Sequence, residues 1–225
     1  MSRVPVITID GLSGSGKGTI SKMLCNELNW NILDSGALYR TLTYLIEKKG
    51  IEIEDFNGMK GEILKDFEVS FGVGTTGEPV NVFLKGKDIT SLIRTEEIAV
   101  KTSFLSSLKE IRDFIRPSQR SFKKSPGLIA DGRDMGTVIF PDADLKVYLI
   151  ASLEERAKRR GSQLKRQGSK VNMPLLLKDL EERDKKDIER EHSPLKPAED
   201  SFVIDTSNID PEGVIKEIKN LPFNF

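Results

Sequence analysis

Gly11-Leu12-Ser13-Gly14-Ser15-Gly16-Lys17-Gly18-Thr19 is the stretch that decides the fold, because it matches the phosphate-binding loop pattern GxxxxGK[ST] apart from one inserted glycine. Glycines let the backbone of such a loop wrap with its N–H groups pointing inward at phosphate oxygens. Lys17 adds a mobile positive charge for the outer phosphates, and a helix beginning here adds the positive end of its dipole. The stretch predicts a site for nucleotide phosphates.

The residues on either side of the loop support this interpretation. Residues 4–9 form a short, mostly apolar and β-branched run, which is typical of a buried strand. After the loop, apolar residues recur at the three- and four-residue spacing of an amphipathic helix: Ile20, Met23, Leu24 and Leu28. This order of strand, loop and helix favours a true phosphate loop over the alternative, a glycine-rich turn beside a surface lysine.

Four further apolar runs predict the other strands of one parallel sheet: residues 30–33, 128–130, 145–150 and 202–204. Helical patterns separate them, which predicts an α/β fold with helices on both faces of a five-stranded parallel sheet. Ligands of such sheets bind at the carboxyl ends of the strands. We therefore expect residues 11–19, 34–40 and 131–136 to converge.

The pattern changes between about residues 55 and 92. Residues 68–71 and 80–84 read as strands, separated by Gly72, Gly74, Gly77 and Pro79, and predict an antiparallel insertion. A helical pattern follows over residues 94–122. Its predicted buried stripe consists of Phe104, Leu108, Ile111 and Ile115.

Composition narrows the class of protein. The 225 residues can build one large domain, and 35 basic residues balance 35 acidic ones, so the overall charge favours neither a nucleic-acid nor a membrane partner. No apolar run is long enough to span a bilayer, and the single cysteine excludes an internal disulfide. We expect a cytoplasmic monomer.

Three segments together resemble the bacterial cytidylate kinases, a family of P-loop nucleoside monophosphate kinases. They are Ile9-Asp10-Gly11 leading into the loop, Leu33-Asp34-Ser35-Gly36-Ala37-Leu38-Tyr39-Arg40, and Ile129-Ala130-Asp131-Gly132-Arg133-Asp134-Met135-Gly136-Thr137-Val138. The likeness covers nearly the whole chain. It implies a three-layer P-loop NTPase fold and ATP-dependent phosphorylation of CMP and dCMP, in pyrimidine nucleotide metabolism.

The resemblance also implies the domain organisation. The chain is a single kinase domain whose core takes in about residues 1–40, 93–152 and 169–225. The antiparallel segment at about residues 55–92 becomes the NMP-binding insertion, and about residues 153–168 become a short helical lid.

The donor half of the implied site is the loop itself, residues 11–19, which binds ATP with Lys17 at the β- and γ-phosphates. The extra glycine, Gly18, moves the hydroxyl that often ligates magnesium to Thr19. Thr19 therefore stays a candidate ligand, although magnesium is expected to bind mainly through nucleotide phosphates. Asp10 and Asp131 are open between two roles, organising the water around that ion or capping strand ends.

The acceptor phosphate needs a cationic pocket, and the resemblance assigns it to Arg40, Arg133 and Arg190, with Ser35 nearby. Guanidinium groups offer paired donors that match phosphate oxygens, and they keep their charge when desolvated. Ser35 has an alternative role as a helix N-cap, which is the simpler interpretation of that residue taken alone.

The resemblance assigns the cytosine base to Ser103, Arg112 and Asp134. Cytosine presents an amino donor beside a ring-nitrogen acceptor and uracil presents the reverse, so a carboxylate paired with an arginine can distinguish them. Taken without the resemblance, Ser103 and Arg112 are the polar face of an ordinary helix.

Two helices complete the implied site. Arg183, Asp187 and Arg190 share one face of a helix predicted over residues 175–190. Arg183 and Asp187 are implied to reach the sugar, with a solvated ion pair as the alternative.

In the basic stretch after residue 152, Arg156 and Arg160 are implied to close over the transferring phosphoryl group, with a solvated basic helix as the alternative. The implied catalytic residues are Lys17, Arg133, Arg156, Arg160 and Arg190.

Two other classes of function stay open at this point. A kinase of UMP, AMP or a non-nucleotide metabolite would share the loop but should lack the set of Ser103, Arg112 and Asp134. A nucleotide-binding module would bind ATP or GTP without transferring phosphate. Against the module, the chain contains no Asn-Lys-x-Asp motif for reading guanine.

Overall fold

A computed structural model describes residues 3–73, 80–166, 168 and 170–223. Its strands are β1 (Val6–Gly11), β2 (Asn31–Asp34), β3 (Val69–Val73), β4 (Val80–Leu84), β5 (Lys87–Asp88), β6 (Leu128–Gly132), β7 (Leu145–Ile150) and β8 (Phe202–Asp205). Its α-helices are α1 (Lys17–Leu28), α2 (Ser35–Lys49), α3 (Phe56–Asp66), α4 (Thr90–Ile93), α5 (Glu96–Leu105), α6 (Lys109–Ser121), α7 (Leu153–Arg166), α8 (Met173–Glu189) and α9 (Pro211–Lys219). A 3₁₀ turn covers Ile53–Asp55 and a π-helical turn covers Met135–Ile139.

In the described part of the chain, five strands form a parallel sheet in the order β2-β6-β1-β7-β8. Central β1 pairs with β6, with Val6 opposite Leu128, and with β7, with Ile7 opposite Leu145. Every residue of β1 is buried, which fits the mostly apolar composition of this strand. The predicted five-stranded parallel sheet is confirmed.

Two hydrophobic layers cover the sheet. One lies against α2, α6 and the insertion and includes Leu38, Ile111 and Val82. The other lies against α1 and α9 and includes Leu24 and Ile218. Neighbouring residues of β1 point into opposite layers, as strand geometry requires, so that the sheet is sandwiched between helices. Within the residues described, no helix is long and apolar enough to cross a membrane.

The loop after β1 leaves the sheet in close contact with β7. Gly11 has φ +147°, and a Cβ at this position would lie 2.1 Å from the carbonyl oxygen of Leu149. Any side chain at residue 11 would therefore displace the backbone of β7. Gly16, at φ +95°, then precedes α1, so that Lys17 is the first residue of the helix.

The insertion contains the predicted antiparallel pairing. β3 and β4 are antiparallel, with Val69 opposite Leu84, and β5 extends this second sheet. The turn residues predicted at Gly74, Gly77 and Pro79 lie outside the described residues. The boundaries given above for core, insertion and lid stay a prediction.

The helical pattern over residues 94–122 is two helices, and the predicted buried stripe is wrong in part. Ile111 and Ile115 are fully buried, but 59% of Phe104 is exposed and Leu108 is only partly buried. The chain leaves the helical conformation after α5 and starts α6 at Lys109. Because this break resets the helical phase, residues before and after it do not share one face.

Candidate active site

Lys17 closes the phosphate loop on itself. Its Nζ donates a hydrogen bond to the carbonyl oxygen of Leu12 at 2.6 Å, and the hydroxyl of Ser15 donates to the same oxygen at 3.0 Å. From the neighbouring strand end, the hydroxyl of Thr206 donates to the carbonyl oxygen of Ser15 at 3.0 Å. Burial lowers the pKa of the Lys17 ammonium, and the charge of Arg133 lowers it further. A bound polyphosphate would stabilise the charged form of Lys17, because it offers the ammonium an anionic partner.

Asp10 caps the turn that follows β6. One carboxylate oxygen accepts from the backbone N–H of Met135 at 2.9 Å and the other from that of Gly136 at 2.8 Å. Burial outweighs these bonds and raises the pKa of Asp10 to about 6. Of the two roles open to Asp10, these hydrogen bonds support the capping role.

Asp131 differs from Asp10, because its carboxylate makes no hydrogen bond or ion pair with any described residue. It follows Ala130 at the carboxyl end of β6, opposite Asp34 of β2 in the register of the sheet. Burial raises its pKa, and the Lys17 charge works in the opposite direction. Asp131 is thus an unpartnered carboxylate close enough to Lys17 for the two charges to interact.

Five arginines interact electrostatically around the carboxyl ends of β2 and β6: Arg40, Arg94, Arg133, Arg160 and Arg183. Three of them have carboxylate partners, since Arg94 pairs with Asp34 at 3.1 Å, Arg133 pairs with Asp187 at 2.9 Å, and Arg160 pairs with Glu96. We call these five residues the arginine cluster.

The arginine cluster carries uncompensated charge. Arg40 and Arg183 form no ion pair within the described ranges, and Arg40 donates only to the carbonyl oxygen of Ile93 at 3.1 Å. Burial, together with the charges of Arg183 and Arg94, lowers the pKa of Arg40 to about 10. Burial and the charge of Arg133 lower the pKa of Arg183 as well. Two unpaired guanidinium groups match the charge of one phosphate dianion.

Ser35 is not the N-cap of α2. Asp34 holds that position, because its side chain accepts from the backbone N–H of Ala37 at 2.9 Å, so the N-cap interpretation of Ser35 is wrong. Ser35 is the first helical residue, and its buried hydroxyl accepts from the side-chain amide of Gln119 at 2.8 Å. Aspartate one residue earlier is an equally good cap, which is why the two residues cannot be told apart by type.

Arg112 and Asp134 form a buried ion pair between α6 and the turn after β6. Arg112 Nη2 and Asp134 Oδ2 are 2.5 Å apart, and both side chains are at least 96% buried. The guanidinium also lies over the ring of Tyr39 and donates to the carbonyl oxygen of Ser106 at 2.9 Å. Burial disfavours the charge on Arg112, but its neighbours, Asp134 foremost, together outweigh burial and leave the pKa of Arg112 raised. Ser103 is partly buried, one turn before the α5–α6 break.

Helix α8 ends at Glu189, so Arg183 and Asp187 lie on one helical face as predicted, whereas Arg190 is the extended residue that follows the helix. Asp187 accepts from Arg133 Nε at 2.9 Å and has Arg190 Nη1 at 3.8 Å. Burial disfavours the charge on Asp187, but the nearby arginines, Arg133 foremost, together outweigh burial and leave the pKa of Asp187 lowered. Arg190 Nε donates to the carbonyl oxygen of Ser193 at 2.6 Å. The structure thus brings these residues together with Arg133 rather than leaving them on a solvated helix.

The two arginines assigned to the predicted lid, Arg156 and Arg160, lie on α7 and have different surroundings. Arg156 is buried, donates to the carbonyl oxygens of Ala151 and Ser13, and pairs with Asp184 of α8 at 2.5 Å. Arg160 is partly exposed and pairs with Glu96 of α5. Arg156 is therefore engaged by protein groups that join loop, α7 and α8, whereas Arg160 belongs to the arginine cluster.

Comparison with known proteins identifies the family of this chain. The sequence profile of the cytidylate kinase family matches residues 7–222. This chain belongs to the cytidylate kinase family. A relative named cytidylate kinase from Stutzerimonas stutzeri is 45% identical over 96% of this chain and 93% of its own length. Another relative of that name, from Pseudomonas entomophila, is 44% identical over 97% of this chain and 96% of its own length. The crystal structure of TT1252 from Thermus thermophilus has a TM-score of 0.49 at 15% identity, covering 99% of this chain and 100% of that one.

Four residues at this cytidylate kinase site were missed by reasoning from the sequence. Arg94 pairs with Asp34, and Gln119 donates a hydrogen bond to Ser35. Asp184 pairs with Arg156, and the ring of Tyr39 lies beneath the guanidinium of Arg112. Tyr39 precedes Arg40 in a segment that already pointed to the site. The other three carry no local signal, because each partner is 28 to 84 residues away along the chain.

Removing Asp184 is expected to destabilise the fold. Asp184→Ala leaves the buried guanidinium of Arg156 without its counter-ion, and we expect the free energy of unfolding to fall by about 3–5 kcal/mol. Urea unfolding followed by circular dichroism measures this loss. Asp179→Ala, at an exposed position of the same helix, is the matched control and should change stability little.

A double variant separates the ion pair from the packing at this position. Arg156→Met combined with Asp184→Leu removes both charges, so it should recover most of the stability lost in Asp184→Ala. If the double variant is as unstable as the single one, the loss comes from packing and the ion-pair explanation is wrong.

Proposed function

We propose that this chain transfers the γ-phosphoryl group of ATP to CMP and dCMP, giving ADP with CDP or dCDP. Membership of the cytidylate kinase family and the names of its relatives support this function. The observation that carries the choice of acceptor is the buried pair of Arg112 and Asp134 next to the arginine cluster. Kinases of other acceptors and non-catalytic modules have no comparable support.

In this proposal Arg112 and Asp134 read the cytosine base. Only Oδ2 of Asp134 is used by Arg112, which leaves Oδ1 to accept from the cytosine amino group. Nε of Arg112 is buried without a hydrogen-bond partner, and it can donate to the acceptor edge of the base. Buried donors without partners are costly, so a ligand that satisfies them gains affinity. Ser103 completes the hydrogen bonding in this assignment.

The acceptor phosphate goes to the arginines that lack carboxylates. Arg40 and Arg183 supply the uncompensated charge, and Nη2 of Arg190 is a further buried donor without a partner. Ser35, held by Gln119, donates its hydroxyl proton to a phosphate oxygen in this arrangement. Asp187, held by Arg133, accepts from the ribose hydroxyls, and Arg183 lies one helical turn away on α8.

Transfer itself requires alignment and charge neutralisation rather than covalent help from the protein. The N–H groups of residues 11–19 and the ammonium of Lys17 hold the donor phosphates. Arg133 and Arg190 meet the acceptor side of the moving group, and Arg160 approaches it from the lid. Arg156 acts in this scheme by fixing the loop through the carbonyl oxygen of Ser13. Closure of the lid excludes water, which limits hydrolysis of ATP.

Magnesium is part of the same proposal. When bound to the nucleotide phosphates, it neutralises their charge and orients them for transfer. The unpartnered carboxylate of Asp131 and the exposed hydroxyl of Thr19 are the protein groups that fit its surroundings. Throughout the part of the chain described, no group of three His, Cys, Asp or Glu residues is arranged to hold a metal.

A coupled assay of ADP formation tests the function. With ATP and magnesium, we expect turnover with CMP and dCMP, and far less with UMP, AMP or shikimate. Equal rates with UMP would contradict the base assignment. Tight ATP binding without any CDP formation would instead favour a non-catalytic module. We also propose that the protein is a cytoplasmic monomer. Light scattering on a gel-filtration peak measures its molar mass and so tests whether it is a monomer.

A further inference from the structure

Glu96 is a carboxylate at the edge of the arginine cluster with no role in the proposed reaction. It is the first residue of α5, and its side chain pairs with Arg160 of α7. The pair therefore bridges a helix on the acceptor side of the site and the lid. The Glu96 side chain is 66% exposed and that of Arg160 is 25% exposed.

Glu96 also affects cluster residues beyond its direct partner. Its charge favours the protonated form of Arg183, whereas the charge of Arg160 disfavours the protonated forms of both Arg183 and Arg40. Asp34 and Asp187 occupy two other arginines of the cluster, Arg94 and Arg133. Glu96 is thus a third carboxylate beside the cluster, and unlike Asp34 and Asp187 it is mostly exposed and paired with Arg160.

We propose that Glu96 is an internal counter-ion that holds Arg160 while the acceptor site is empty and competes with the acceptor phosphate for the cluster. The inference rests on the proposed function for the identity of that phosphate. An exposed ion pair contributes about 0–1 kcal/mol, so it exchanges easily. A phosphate dianion carries twice the charge of the carboxylate and accepts paired hydrogen bonds from guanidinium groups, so it displaces Glu96 from Arg160.

The neighbouring residue provides a matched control. Glu97 is also in the first turn of α5 and is exposed, but it pairs with Lys101 on its own helix. Glu96→Gln and Glu97→Gln remove the same charge at adjacent positions and keep the size of the side chain. The two variants differ only in whether the lost carboxylate faces the arginine cluster.

Calorimetric titration of the two variants with CMP and with cytidine tests the inference. We expect Glu96→Gln to lower the Kd for CMP by about threefold, the size of one partly exposed charge interaction. Cytidine lacks the phosphate, so its Kd should not change, and Glu97→Gln should match the wild type with both ligands. Unchanged or weaker CMP binding by Glu96→Gln overturns the inference, and so does an equal decrease in the Kd for cytidine.

Inorganic phosphate provides a readout that does not depend on the base or on turnover. Saturating phosphate should raise the Tm of Glu96→Gln more than that of the wild type or of Glu97→Gln. A merely structural bridge would instead lower the Tm of Glu96→Gln equally with and without phosphate, which contradicts the proposal. If the phosphate result holds while the wild type forms no CDP, the proposed function fails and the counter-ion role stands.

Discussion

Asp134→Asn should lower kcat/KM for CMP by about a hundredfold, because it replaces a charged acceptor in a buried hydrogen-bonded pair with a neutral one. The amide keeps the size of the carboxylate and one oxygen for Arg112, so the fold should survive. Its N–H group can donate to the carbonyl of uracil, so the ratio of UMP to CMP use should rise. Steady-state kinetics with both acceptors measure these changes.

The control for this variant is Asp113→Asn. Asp113 follows Arg112 on α6, is partly exposed and pairs with Lys109, away from the base-reading pair. It should leave both acceptors and the Kd for ATP unchanged. If Asp134→Asn keeps the wild-type preference for CMP over UMP, then Asp134 does not read the base and the acceptor assignment is wrong.

Lys17→Met should lower kcat by about a thousandfold or more, since the donor phosphates lose their nearest protein cation in the transition state. The same change should leave the Tm close to that of the wild type. Burial already disfavours the charge of Lys17, and its hydrogen bond within the loop goes to one carbonyl oxygen, that of Leu12. ADP formation at saturating ATP and a thermal melt measure the two quantities.

Lys124→Met is the comparison for Lys17→Met, because Lys124 is an exposed lysine outside the regular elements. It should change neither kcat nor Tm. A Lys17→Met protein that unfolds would show that the loop needs Lys17 to close. A folded variant with wild-type turnover would show that Lys17 is not the cation of the donor site.

The sheet was predictable from the sequence because its buried parallel strands, such as β1 and β7, are mostly apolar runs. The differences lie at the strand ends. β1 starts at Val6 rather than Val4, and Pro5 just before it has no N–H group to donate to a neighbouring strand. Likewise β2 starts after Trp30, whose ring fills the space where a Cβ at Gly127 would lie. Local pattern specifies the existence of a strand better than its ends.

The arrangement of the candidate site was less accessible to the sequence. Residue types and helical spacing placed Arg183 and Asp187 on one face, but pattern alone gave no reason why Asp187 should pair with Arg133, 54 residues away. The exposed Phe104 illustrates a second limit. A three-residue interruption between α5 and α6 leaves no mark on a periodic pattern, yet it changes which residues of α5 face the core.

Arg156 has a consequence for how the two nucleotides affect each other. One guanidinium joins the carbonyl oxygen of Ser13 in the donor loop to Asp184 on α8, the helix that carries Arg183 and Asp187. A ligand that shifts the loop must move or break these contacts of Arg156. The position of α8 relative to the acceptor then changes. Such coupling is reciprocal, so whatever factor ATP applies to the affinity for CMP, CMP applies to the affinity for ATP.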